Sequence, residues 1–103
     1  MNSQINLRWF TYQQNNSGGS FNKDSAVDRN VFVQAPSADE ANEIAVKIGI
    51  YFDGCSRGID CSCCGDRWRS VFTEEDGDPV PSLYGSPVWK DREMSRFYAF
   101  GLV

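Results

Sequence analysis

The sequence predicts an α+β fold: an antiparallel sheet of about four strands with one main helix packed on one face. Three observations predict it. Two runs rich in β-branched and aromatic residues, at 5–14 and 29–35, flank a Gly-rich loop. A capped stretch with helical apolar spacing follows at once. Short apolar and aromatic runs then recur at 68–73 and 96–103. At 103 residues the chain is one domain, 1–103, with room for a single modest core.

INLRWFTYQQ alternates, with Ile5, Leu7 and Trp9 facing one way and Arg8, Phe10 and Tyr12 the other. It reads as a strand whose second face is partly covered. NNSGGS is a loop, because Asn, Ser and paired Gly favour turn backbone. RNVFVQA is a second strand with Val31, Val33 and Ala35 on one face, paired antiparallel with the first. Pro36 ends it. Ser37 with Glu40 then forms a capping box, in which hydroxyl and carboxylate satisfy exposed amides reciprocally. Ala41, Ile44, Ala45 and Ile48 form one buried helical stripe, and Glu43 pairs with Lys47 on the wet side. Gly49 is the stop. IYF returns toward the core, WRSVFT alternates as a third strand, and RFYAFGLV closes the chain as the last. Between them, EEDGDPVPSLYGSP is an acidic loop ordered around Leu83 and Tyr84.

Composition excludes several classes. No apolar run has membrane-spanning length, and MNSQINLRWF lacks the basic and apolar regions of a signal peptide, so the expected compartment is a cytosol. A formal charge of −4 with scattered Lys and Arg argues against a nucleic-acid surface. Only Arg57, Arg67 and Arg69 approach a cluster. The absence of histidine removes the commonest general base and every His-dependent triad.

All four cysteines lie at 55, 61, 63 and 64, a C-x5-C-x-C-C spacing inside which CSCCGDRW stands out. Zinc prefers four ligands in a tetrahedron, often from two C-x2-C hooks. Cys61 and Cys64 make one hook; a site of Cys55, Cys61 and Cys64, completed by Cys63 or an Asp, is the metal reading. A thiol-exchange reading needs the C-x2-C to open a helix, and here a strand-like run follows. The preferred reading is packing. Small thiols fill a tight turn under Trp68, Gly65 supplies the turn backbone, Asp66 bonds turn amides and Arg67 reaches out.

NNSGGSF resembles a phosphate-cradling loop in composition, but no Lys-Ser/Thr follows and no helix starts there. The acids Glu74, Glu75, Asp76 and Asp78 lack the alternation of an ion-binding loop and read as a solvated turn. The aromatics exceed what one small core needs, which leaves some for stacking on a flat ligand or for a subunit interface.

Taken together, WFTYQQNNSGGSF, PSADEANEIA, GIYFDG and DCSCCGDRW with SLYG resemble a family of small uncharacterised proteins of tailed bacteriophages. The resemblance covers about residues 8 to 88, and its most specific part is the cysteine turn. It implies a phage product working in the host bacterial cytoplasm, and it carries over no residue's role.

The expected function is therefore non-enzymatic: an oligomeric, counter-defence binding protein that sequesters a small anionic, nucleotide-type ligand, with no cofactor. Asn15, Asn16, Ser17, Gly18, Gly19 and Ser20 would meet phosphates with amides, Arg67 with a charge-assisted fork, and Phe21, Tyr51 or Trp68 with a stacking surface. Asp66 completes the set. This requires the two Gly-containing turns to lie at one end of the sheet or to meet across a subunit boundary. The alternatives are an inhibitor or adaptor gripping a host protein through an acidic face, or a small zinc-knuckle interaction module.

Overall fold

The computed structural model describes residues 6–15, 21–89 and 92–101. Ile5 and residues 16–20 of the Gly-rich loop lie outside them. The elements run β1 (Arg8–Gln13), β2 (Asn30–Ala35), α1 (Ala38–Lys47), β3 (Ser82–Leu83), β4 (Ser86–Pro87) and β5 (Ser95–Tyr98).

β1 and β2 pair antiparallel from Arg8–Ala35 to Gln13–Asn30, as the two apolar runs predict. The alternation then sorts their side chains onto two faces. Phe10, Tyr12, Val31, Val33 and Ala35 join Ala38, Ala41, Ala45, Ile50 and Trp68 in the core beneath α1. Trp9 and Phe32 point the opposite way and pack with Leu83 in a second, smaller core. Both faces of the sheet are thus covered, the second by the β3–β4 hairpin.

The helix forms where its signals lie. Ser37 accepts from the Glu40 amide at 3.2 Å and caps it. At the far end, Gly49 has a φ of +110°. Its amide bonds the Val46 carbonyl at 3.1 Å, while the Ile50 amide bonds that of Ala45 at 3.0 Å. These two bonds define a Schellman ending, and they turn Ile50 back into the core. Ala38, Ala41 and Ala45 are buried, with Ile44 and Ile48 half-buried beside them.

The sheet differs from the expected antiparallel one of four strands. It has three strands in the order β1–β2–β5, and β5 runs parallel to β2, with Asn30 opposite Ser95 and Val33 opposite Tyr98. A parallel partner needs a long crossover. Here everything from α1 to residue 94 supplies it. The hairpin β3–β4 forms a separate two-stranded sheet.

Residues 68–73 are not the third strand. The alternation of WRSVFT reflects burial of Trp68 and partial burial of Val71 against the α1 core, not pairing. Asn42 on α1 takes the role of a neighbouring strand: its Nδ2 donates to the Val71 carbonyl at 3.0 Å and its Oδ1 accepts the Val71 amide at 3.1 Å. The Tyr12 hydroxyl donates to the same Oδ1 at 2.7 Å. Asn42→Ala strands three part-buried polar groups at once. The expected loss is about 2 kcal/mol of unfolding free energy in urea titration. An unchanged midpoint contradicts the bridging role.

β1's outer edge is also tied down. Trp9 exchanges both backbone bonds with Asp78 at 2.8 Å each, and the Arg8 side chain donates to the carbonyls of Asp76 and Gly77. The acidic turn is therefore anchored by backbone pairing.

Candidate functional site

Two features have functional geometry: the cysteine loop, and a groove at the end of the sheet where β1 finishes and β2 begins.

The cysteine loop is organised by a carboxylate. Asp60 is almost fully enclosed, with its side chain 1% exposed against 11% for that of Arg67. It accepts from the Tyr51 hydroxyl at 2.6 Å and from the Arg67 amide at 2.8 Å, and the Arg67 Nε lies 3.7 Å from its Oδ1. The Arg67 guanidinium continues to Gln14 Oε1 at 2.9 Å, and Gln14 Nε2 donates to the carbonyls of Asn22 and Asp28. One network therefore links residues 51, 60, 67, 14 and 22. Asp66 accepts the Cys55 amide at 2.9 Å, and this bond first of all holds its carboxyl below the ordinary range.

Asn15 joins the two turns. Its amide donates to the Arg67 carbonyl at 2.7 Å, and its Nδ2 donates to the carbonyls of Cys64 and Asp66 at 2.7 and 3.3 Å. The first residue of the Gly-rich loop thus sits against the cysteine turn.

The remaining sequence-predicted positions divide clearly. Asn16, Ser17, Gly18, Gly19 and Ser20 lie outside the described residues. Trp68 is 1% exposed and belongs to the core, with no open face for a ligand. Tyr51 spends its hydroxyl on Asp60. Phe21 is capped by the Arg29 guanidinium, 5.0 Å from its ring centre. Asn15, Asp66 and Arg67 line the inner part of the groove, and the stacking candidates Phe21, Tyr51 and Trp68 do not.

Among the thiols, Cys61, Cys63 and Cys64 converge, their sulfurs all within 4.8 Å of one another. Cys61 and Cys63 touch at 2.9 Å. That contact, foremost, brings the Cys61 thiol down to about 7 and pushes Cys63 up to about 11. Cys55 stands apart from the triad, its sulfur donating to the Cys61 carbonyl at 3.4 Å. Burial pushes its own thiol up, followed by the bond to Asp66.

The groove is the larger feature, with an outer part of about 980 Å³ and an inner part of about 400 Å³ that share Gln13, Arg29, Asn30 and Tyr84. The second core supplies its floor. Trp89 packs edge-on against Trp9 at 5.4 Å and tilted against Phe97 at 5.7 Å, yet remains 48% exposed. Tyr84 is 85% exposed, its hydroxyl accepting from Gln13 Nε2 at 3.1 Å.

Backbone strain gathers here. Among the described residues, three non-glycines have left-handed φ angles, and two of them, Tyr84 at +53° and Met94 at +57°, line the outer groove. Such strain concentrates where a side chain must be presented. Arg29, Arg67, Arg69 and Arg92 face the groove against Asp66, Glu75 and Glu93. With the Arg67 guanidinium already paired with Asp60, three arginines face three carboxylates, so the groove stands out for its gathered guanidinium groups rather than for a net charge.

Sequence reasoning missed Arg29, Tyr84, Trp89 and Arg92. One signal was legible. SLYG places a tyrosine where a two-residue hairpin normally carries Asn, Asp or Gly, which marks a ring held out at a turn.

Fold and site together define a small α+β protein with an arginine-lined, aromatic-walled groove. The chain belongs to the family described as domain of unknown function DUF7296, which it matches over residues 7–100. No curated protein and no solved structure matches it. Among the described residues, no helix is long and apolar enough to cross a membrane.

Proposed function

We propose that the protein is a non-enzymatic binding protein that takes up a small, flat, anionic ligand of nucleotide type in the groove around Arg29. The observation that carries this reading is the meeting, in one concavity, of exposed arginines with exposed aromatic faces. Arg29, Arg69 and Arg92 are all exposed there, beside Tyr84 and Trp89. Guanidinium forks recognise phosphate oxygens, and a planar base stacks on an aromatic face. A volume in the range of ordinary ligand sites holds both.

The reading moves the ligand away from the originally expected residues. Asn15 and Asp66 form the inner wall, Arg67 braces the loop, and Arg29 is the central contact. Sequestration needs capture rather than turnover, so the absence of histidine is no handicap. In the setting implied by the phage resemblance, the protein captures a nucleotide signal in a host bacterial cytoplasm and thereby serves counter-defence.

Calorimetric titration with ADP-ribose and with ATP, in low and in moderate salt, tests the reading. Saturable, salt-weakened binding is expected for at least one, and Arg29→Glu weakens it roughly 10- to 100-fold by removing a charge-assisted contact. If neither probe saturates at millimolar concentration in low salt, or if Arg29→Glu binds as tightly as the parent, the groove is not an anion site.

A further inference from the structure

We propose that the thiolates of Cys61, Cys63 and Cys64 form a three-sulfur site for one thiophilic d10 cation, zinc or copper(I), on the side of the cysteine loop turned to solvent. Thiolate ligands select such soft ions over hard ones. A metal–sulfur length of about 2.3 Å in a tetrahedral arrangement places its sulfurs about 3.8 Å apart. The triad lies within reach of that spacing: Cys61 and Cys63 lie at 2.9 Å, and no two of the three sulfurs are more than 4.8 Å apart. Small side-chain rotations bring them to one ion.

The backbone that carries the sulfurs is fixed independently of any ion. The Cys61 carbonyl accepts the amides of Cys64 and Gly65 at 3.1 and 3.2 Å, and Gly65 holds a φ of +87°. Asn15 Nδ2 pins the Cys64 carbonyl at 2.7 Å. The adjacency of Cys63 and Cys64, which would hinder an inward-facing site, is harmless here because all three thiols are exposed. On binding, three S–H bonds break, three metal–sulfur bonds form and three protons pass to solvent, with no change of oxidation state. Cys55 is not a ligand in this arrangement, because its sulfur is directed at the Cys61 backbone carbonyl and lies outside the three-sulfur group.

The test is cadmium titration of the reduced full-length chain, followed by the ultraviolet sulfur-to-metal absorption and by native mass. One cadmium per chain is expected, displaced competitively by zinc or by copper(I), and the stronger competitor identifies the cation. Cys63→Ser and Cys64→Ser are each expected to lose the absorption while keeping the parent circular dichroism, since the thiols they replace are exposed. Cys55→Ser is expected to keep it. Three results overturn the assignment: no stoichiometric cadmium on the parent, full absorption in folded Cys63→Ser and Cys64→Ser, or equal loss in Cys55→Ser, which indicates a four-thiolate site. Because none of these readouts involves the groove, failure here leaves the anion reading intact.

Discussion

Replacing Gly54 with alanine is expected to lower the unfolding free energy by about 3 kcal/mol, the upper end of what overpacking a filled site costs. A Cβ at this position would lie 1.8 Å from Asp60 Oδ2, 2.5 Å from its Cγ and 2.8 Å from Tyr51 Cε2. None of these atoms can yield cheaply. The carboxylate is clamped between the Tyr51 hydroxyl and the Arg67 amide, and Gly54's own carbonyl receives the amides of Ile59 and Asp60 at 2.8 and 3.0 Å. The substitution must therefore break the network or shift the loop. Gly58→Ala is the control within the same loop. It meets nothing within 4 Å but sits at a φ of +74°, so it carries only backbone strain of about 1 kcal/mol. Urea titration of both variants separates the steric effect from the backbone effect. Equal losses contradict the close packing around Asp60.

Asp60→Ala is expected to cost roughly 3 kcal/mol, because removing one partner of an enclosed ion pair strands the other. Here the Arg67 amide and the Tyr51 hydroxyl lose their acceptor, and the Arg67 guanidinium loses its carboxylate while keeping Gln14. Asp60→Asn keeps the shape and one acceptor oxygen, so it falls between alanine and the parent. The loss has a spatial signature. Asn15 binds the backbone at 64, 66 and 67, and Gln14 binds the Arg67 guanidinium. Amide hydrogen exchange is therefore expected to quicken at residues 14 and 15 as well as throughout the cysteine loop. Exchange confined to residues 55–66 contradicts a shared network.

The elements legible in the sequence were those with local causes. Ser37, the alanine spacing of α1 and Gly49 each act within a few residues, and the helix appears where they place it. The β1–β2 pair likewise follows from two adjacent alternating runs. What failed depends on distant partners. Residues 68–73 alternate in burial as a strand does, but their backbone meets the Asn42 amide, and Asn42 reads only as a polar helix residue. The parallel pairing of β5 is set by where a long crossover ends, which no local pattern encodes.

The same division governs the site. Of the Gly-rich loop, only Asn15 falls among the described residues, and it bonds the backbone of the cysteine turn. Arg67, chosen as an anion contact for its position in the motif, instead braces Asp60 and Gln14. Trp68 was a plausible stacker by residue type alone, and its burial under α1 follows from the tertiary packing. Arg29 and Trp89 carry no motif. They become neighbours of Tyr84 only once the hairpin folds over the second core.

The anion-binding groove is tested most directly by amide proton–nitrogen correlation spectra recorded while the chain is titrated with ADP-ribose. Saturating shifts are predicted at Gln13, Arg29, Asn30, Tyr84 and Met94, with α1 and the outward cysteines unmoved. Spectra that stay unchanged to millimolar ADP-ribose, or shifts that map to α1 instead, contradict the assignment of the groove.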